Sequence, residues 1–276
     1  MSNESIARHF RGKIVILTGA ASGIGRALAV QLASAGAMVH AADANKEGLD
    51  SLCAELKGKG EGEVIPCVLD VRDGEAFIAL ANRVVETHSR IDFFFNNAGV
   101  TQLGESQNIP FERWKWLLDI NLMGVVHGIL AVYPIMVRQK HGQIINTASI
   151  AGLTGYATAS AYTASKAAVL ELTRSLRSEA RIHKVMISAA CPGYVSSGIF
   201  AEDRIVGADL KSIIKAFPTK MMTPQVAASH MLAGVVAGKE TIVFPFSAKF
   251  LWALSNWAPG LTAPFQQNFI KVFYPS

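Results

Sequence analysis

A single doubly wound α/β domain, with a parallel sheet and helices on both faces, is the fold this sequence predicts. Three observations carry it. Short apolar runs alternate with helical patterns along most of the chain. A Gly-x-x-x-Gly-x-Gly turn follows the first of those runs directly. The 276 residues, 50% hydrophobic and 17% charged, show no repeat, low-complexity tract or interdomain linker, so one substantial core is expected.

Residues 13–18, apolar and β-branched, read as the first strand. Gly19, Ser22, Gly23, Ile24 and Gly25 then lead into a helix over 23–35, whose periodicity stops at Gly36. In a strand, glycine turn and helix in this order, Gly19 permits the tight turn and Gly23 lets backbone N–H groups approach a pyrophosphate. Gly25 brings helix against strand, and the helix N-terminus adds partial positive charge. A purely structural turn is the alternative for such a motif on its own. The strand at 38–43 ends on Asp43, at the offset where a dinucleotide fold sets an acid against the adenosine ribose. A carboxylate there accepts from the 2′-hydroxyl and repels a 2′-phosphate. The nearest bases are Arg26 and Lys46, so NAD(H) is the expected cofactor and NADP(H) the alternative.

A helix at 46–57, a strand at 63–69, a helix at 73–88 and a strand at 92–96 follow. The next helix, 111–139, contains Asn121, and the strand at 142–148 runs into Ser149. After a helix at 160–182 come a strand at 184–191, a helix at 224–237 begun by Thr223-Pro224, and a strand at 241–244. Tyr162 and Lys166 stand four residues apart, so a helix projects phenol and ammonium from one face, one turn apart. A phenol titrates near pH ~10, and a cation alongside favours the phenolate and brings that value toward neutrality. A surface tyrosine beside a solvated lysine explains most such pairs. The glycine turn at the other end of the chain changes the reading.

With both ends in view, residues 10–245 resemble the short-chain dehydrogenase/reductase family, a Rossmann-type fold. The glycine spacing is the family's own. Asp70-Val71 stand where the family contacts adenine, and Asn97-Ala98-Gly99, within Asn96-Asn97-Ala98-Gly99, match the turn that steadies its central sheet. Asn121 matches the catalytic asparagine, and Ser149 lies 13 residues before Tyr162, the family's usual interval. Pro192, Gly193, Val195 and Ser197 match the segment after the sixth strand, with Ser197 where the family usually has threonine. The resemblance implies that Tyr162 is general acid or base and that Lys166 lowers its pKa and holds the nicotinamide ribose. It further implies that Ser149 bonds the carbonyl oxygen and that Asn121 holds a water leading from Lys166 to solvent. No metal is implied, and the seven histidines show no ligand spacing.

The net charge of +5 comes without a concentrated basic run, so nucleic-acid binding is not expected. Arg174, Arg177 and Arg181 share a helical face, read as a solvated face or as a dock for an acidic carrier protein. Three cysteines without motif spacing and a polar N-terminus without a signal core point to a reducing, cytoplasmic setting.

The catalytic domain is expected at 1–245, with a lid at about 198–222 whose apolar residues, Phe200 and Phe217 among them, favour a bulky lipophilic substrate. The extension 246–276, rich in Phe and Trp, has helical apolar spacing from Phe246 to Trp257, and Pro259 and Pro264 leave no run able to cross a bilayer. Three readings are open for it: a subunit interface or substrate mouth, shallow membrane contact, or packing within the chain. The family forms dimers and tetramers through the helices at 111–139 and 160–182, so a homodimer or homotetramer is expected. The leading expectation is an NAD(H)-linked dehydrogenase/reductase for a lipophilic secondary alcohol or ketone. A 3-oxoacyl-thioester reductase using NADPH is the nearest rival, and a non-catalytic nucleotide sensor or a peripheral membrane protein the rival of another class.

Overall fold

The computed structural model describes residues 3–216, 220–258, 260, 267 and 269–274. Of the residues singled out above, Phe217, Pro259 and Pro264 lie outside that set. Helix α1 (Asn3–Phe10) precedes β1 (Ile14–Thr18), α2 (Gly23–Ser34), β2 (Met38–Asp43), α3 (Lys46–Leu56), β3 (Glu63–Val68), α4 (Gly74–His88) and β4 (Phe93–Asn96). Then come α5 (Phe111–Leu118), α6 (Gly124–Gln139), β5 (Gln143–Thr147), α7 (Ala151–Thr154), α8 (Ser160–Ala180) and β6 (Met186–Pro192). The chain continues through α9 (Leu210–Ala216), α10 (Pro224–Val236), β7 (Thr241–Phe244) and α11 (Phe246–Trp257).

The seven strands form one parallel sheet in the order β3-β2-β1-β4-β5-β6-β7, with Val15 paired to Val39 on one side and to Phe93 on the other. Strand alternation divides the core. Val15, Leu17, Phe93 and Phe95 face α1, α2, α3 and α10, whereas Ile14, Ile16, Phe94 and Ile144 face α4, α6 and α8. Both faces are therefore covered, which is why the strands read as continuous apolar runs. The chain direction across the sheet reverses between β1 and β4, and this is the crevice where ligands settle in such folds.

Three departures from the sequence reading have physical causes. Helix α1 is hidden in a polar N-terminus, yet its two large apolar residues, Ile6 and Phe10, are buried against α2 and α10. The expected helix 111–139 is interrupted by a π turn at Asp119–Met123, which inserts a residue into the helical ladder at Asn121. The lid carries a short helix, α9, whose Ile213 is fully buried with Phe269 and Phe273 of the tail in a small third cluster.

Candidate active site

The carboxyl ends of β1 to β6 open on two adjoining cavities. One, polar and about 420 Å³, is lined by Gly19, Ser22, Gly23, Ile24, Gly25, Asp43, Asp70, Val71, Asn97, Ala98, Gly99 and Lys166. The other, apolar and about 80 Å³, is lined by Ser149, Gly193, Val195, Leu103, Tyr156, Phe200 and Phe269. Tyr162, Pro192 and Ser197 line both. Every residue singled out for the site reaches one cavity or the other except Asn121, which is wholly buried behind the wall.

The polar cavity begins at the glycine turn. Gly19 takes a left-handed φ of 70° and its α-carbon faces Ala98 so closely that a Cβ would lie 2.9 Å from the Ala98 α-carbon. A Cβ on Gly25 would drive into the Gly19 carbonyl. Thr18, at the end of β1, accepts from the backbone N–H of Asn97 (2.9 Å) and Ala98 (3.0 Å), locking the two turns together. Asn45, Asp73 and Thr223 cap α3, α4 and α10 with their side chains, but Ser22 leaves the α2 N-terminus without a side-chain cap. Its N–H groups therefore face the cavity, and a dinucleotide's phosphates fit that cradle.

Asp43 accepts from Ala21 N and Asn45 N, each at 2.9 Å, which fixes the carboxylate at the far end of the cavity. The two nearby bases are turned elsewhere: Arg26 pairs with Glu55 and Lys46 with Asp50, each at 2.6 Å. Asp70 is bound by Arg72, whose guanidinium holds the carboxyl below its usual range. Arg72 lines the cavity and was not singled out from the sequence.

At the junction of the cavities Ser149 and Tyr162 line the apolar cavity together, and Ser149 Oγ accepts from Ala151 N at 3.1 Å. Lys166 is 2% exposed; its Nζ donates to the Thr147 carbonyl at 2.8 Å and lies 5.8 Å from the centre of the Tyr162 ring. The expected lowering of the Tyr162 pKa does not appear. Burial pushes the phenol up, and the Ser149 hydroxyl only partly opposes it. The same burial brings Lys166 down to about 8 and takes the neighbouring Cys191 thiol up to about 12. Asn121 is satisfied within the protein, exchanging bonds with Val100 and donating to Ser165 Oγ at 3.1 Å.

The lid and the tail complete the apolar side, and the sequence pattern did not reveal how. Lid residue Arg204 accepts at its carbonyl from Leu103 N (2.8 Å) and Gln102 Nε2 (3.0 Å), while its guanidinium lies 5.9 Å over Trp116 and lines the polar cavity. Phe269, 2% exposed, meets the Tyr156 ring edge-on at 5.5 Å and closes the apolar cavity from the tail. Of the three arginines sharing an α8 face, Arg174 pairs with Glu171, and Arg177 and Arg181 both engage Glu240.

A family profile described as short chain dehydrogenase matches residues 13–205. A 3-oxoacyl-(acyl-carrier-protein) reductase of Thermotoga maritima is 37% identical over 186 residues, 67% of this chain and 75% of that protein. Levodione reductase of Leifsonia aquatica is 36% identical over 196 residues, 70% of this chain and 73% of that protein. Among solved structures, a short chain dehydrogenase/reductase from Burkholderia phymatum in complex with NAD superposes with a TM-score of 0.82 at 30% identity, covering 92% of this chain and 96% of that one.

Proposed function

Since the chain belongs to the short-chain dehydrogenase family of NAD(P)-linked oxidoreductases, we propose that it interconverts a lipophilic, bulky secondary alcohol and its ketone, using NAD(H). One observation carries the reading: the Ser149–Tyr162 pair stands where a polar cavity shaped for a dinucleotide meets an apolar one. The nicotinamide, when bound, supplies or accepts the hydride. The protein's part is position and the proton. Ser149 bonds the substrate oxygen, where negative charge develops, and Tyr162 gives it a proton in reduction or takes one in oxidation. A phenol titrates near pH ~10 in any case and burial raises Tyr162 further, so the resting phenol carries its proton for donation. Lys166 keeps the ribose side of the cavity positive, and Asn121 is a positioning residue for the loop that carries Gly99 and Val100.

The side chains around the second cavity, Leu103, Ile199, Phe200, Val195 and Phe269, favour a water-poor ketone over a sugar. Asp43 at the ribose end, with Arg26 and Lys46 already paired, favours NAD(H). Exposed Phe111, Met123 and Leu130, on α5, the π turn and α6 in order, favour pairing of two chains there, as dimer or tetramer. The test is turnover of NADH and NADPH against ketones of graded size, with Tyr162→Phe alongside. The reading requires NADH-dependent reduction of bulky ketones, lost by a factor of about a thousand or more in Tyr162→Phe, with cofactor binding retained. Preference for NADPH together with activity on acyl-carrier thioesters would transfer the assignment to the reductase reading suggested by the Thermotoga relative.

A further inference from the structure

Helix α11 carries an aromatic stripe that stands exposed among the described residues. Phe246 is 80% exposed, Phe250 63% and Trp257 89%. With exposed Ala253 they fall at i, i+4, i+7 and i+11, one face of a helix. The opposite face is anchored. Ala248 is buried against Gly193, Trp252 packs on the core, and the helix rests on α7 and β7. The stripe is therefore held at a fixed orientation by the body of the protein. A contiguous aromatic patch of this kind marks a contact surface.

Charge selects what covers it. Residues 241–276 contain Lys249 and Lys271, both exposed, and no aspartate or glutamate. Lys249 adjoins Phe250 directly. Away from the helix, the tail at Tyr274 engages Glu105, so the basic side chain set beside the stripe is Lys249. Aromatics beside an ammonium group on a long flexible stem, as Phe250 is beside Lys249, suit the headgroup region of an anionic bilayer, where rings sit at the acyl boundary and amines reach the phosphates. The 12 residues of α11 extend about 18 Å, too short for a hydrocarbon core roughly 30 Å thick. Such a helix lies in the membrane plane.

We propose that α11 docks this protein on an anionic lipid surface, with Phe246, Phe250 and Trp257 seated in the interface. Through Ala248 the helix abuts Gly193 in the wall of the apolar cavity, so a docked protein holds that wall about one helix diameter from the lipid. The proposal stands on the stripe and its charge and is independent of the reaction assigned to the site.

The experiment is co-sedimentation of the full chain with vesicles of phosphatidylcholine alone or mixed with phosphatidylserine, comparing wild type with Phe250→Ser/Trp257→Ser. Wild type pellets with the phosphatidylserine vesicles, and the double variant partitions at least about tenfold less while binding NADH as wild type does. Tryptophan emission shifts to the blue on adding those vesicles, and less so in Trp257→Phe. Wild type remaining in the supernatant, or both proteins pelleting equally, overturns the proposal. It is equally overturned if vesicles are ignored and the double variant instead loses an oligomeric state by light scattering. The stripe would then be an interface between copies.

Discussion

Asn121 and Val100 exchange two hydrogen bonds, Val100 N to Asn121 Oδ1 and Asn121 Nδ2 to Val100 O, both 2.8 Å. The π turn at Asp119–Met123 turns the amide toward the loop after β4, where an unbroken helix would present it one position out of register. Asn121→Ala leaves both Val100 groups unpaired in a part-buried setting. The expected cost is about 2–4 kcal/mol, seen in calorimetry as a Tm lower by roughly 5–15 °C. A Tm within a degree of wild type would show that the loop holds itself.

Phe269 joins the tail to the lid cluster and to the apolar cavity. Phe269→Ala is expected to remove about 3–5 kcal/mol of local packing. Proteolysis within residues 198–222 should then accelerate, and KM for bulky ketones should rise about tenfold or more with small ketones little affected. Phe269→Leu restores most of both. Unchanged proteolysis would mean that the lid does not depend on the tail.

Arg204 brings a cation from the lid to the polar cavity, with its Nε buried and unbonded and Nη1 only 3.5 Å from the Ile199 carbonyl. A phosphate opposite the glycine turn would satisfy it. Arg204→Met keeps the stem over Trp116 and removes the charge, so NADH and ADP-ribose should bind about 10–100-fold more weakly, while adenosine binding stays level. Equal loss for all three in a titration would indicate a lid defect instead.

His40 is buried on β2 beside the His88 ring, 5.1 Å away. Burial, then the charges of His88 and Arg83, bring its pKa down to about 4 from 6.5. The unfolded chain therefore binds the extra proton first as pH falls, so stability declines between about pH 6.5 and 4 and levels off below. His40→Leu should flatten that limb of the urea midpoint against pH. An identical slope in the variant would assign the acid loss to other groups.

What could be read without coordinates was local. A helix sets the spacing of Tyr162 and Lys166, so their shared face follows from four residues of sequence, and the glycine turn declares itself because Gly19 and Gly25 admit no Cβ. The helix at Phe246–Trp257 was legible for the same reason, from its apolar spacing. Arg72, Arg204 and Phe269 were not legible. Nothing local distinguishes a lid arginine over a cavity from one in water, and Phe269 meets Tyr156 from more than a hundred positions away. The Tyr162 pKa shows the limit most directly. Spacing placed a cation near the phenol, but the sign depended on how far the fold takes the half-buried phenol and the buried ammonium from water.

The sequence by itself determined the parallel doubly wound sheet, the family and the residues gathered at the strand ends, because periodicity, turn chemistry and motif order are properties of neighbours along the chain. Tertiary structure alone decided which face of α11 is left bare, where the π turn aims Asn121, and which way burial shifts Tyr162 and Lys166. Those are differences between one environment and another, and an environment exists only after distant segments have packed.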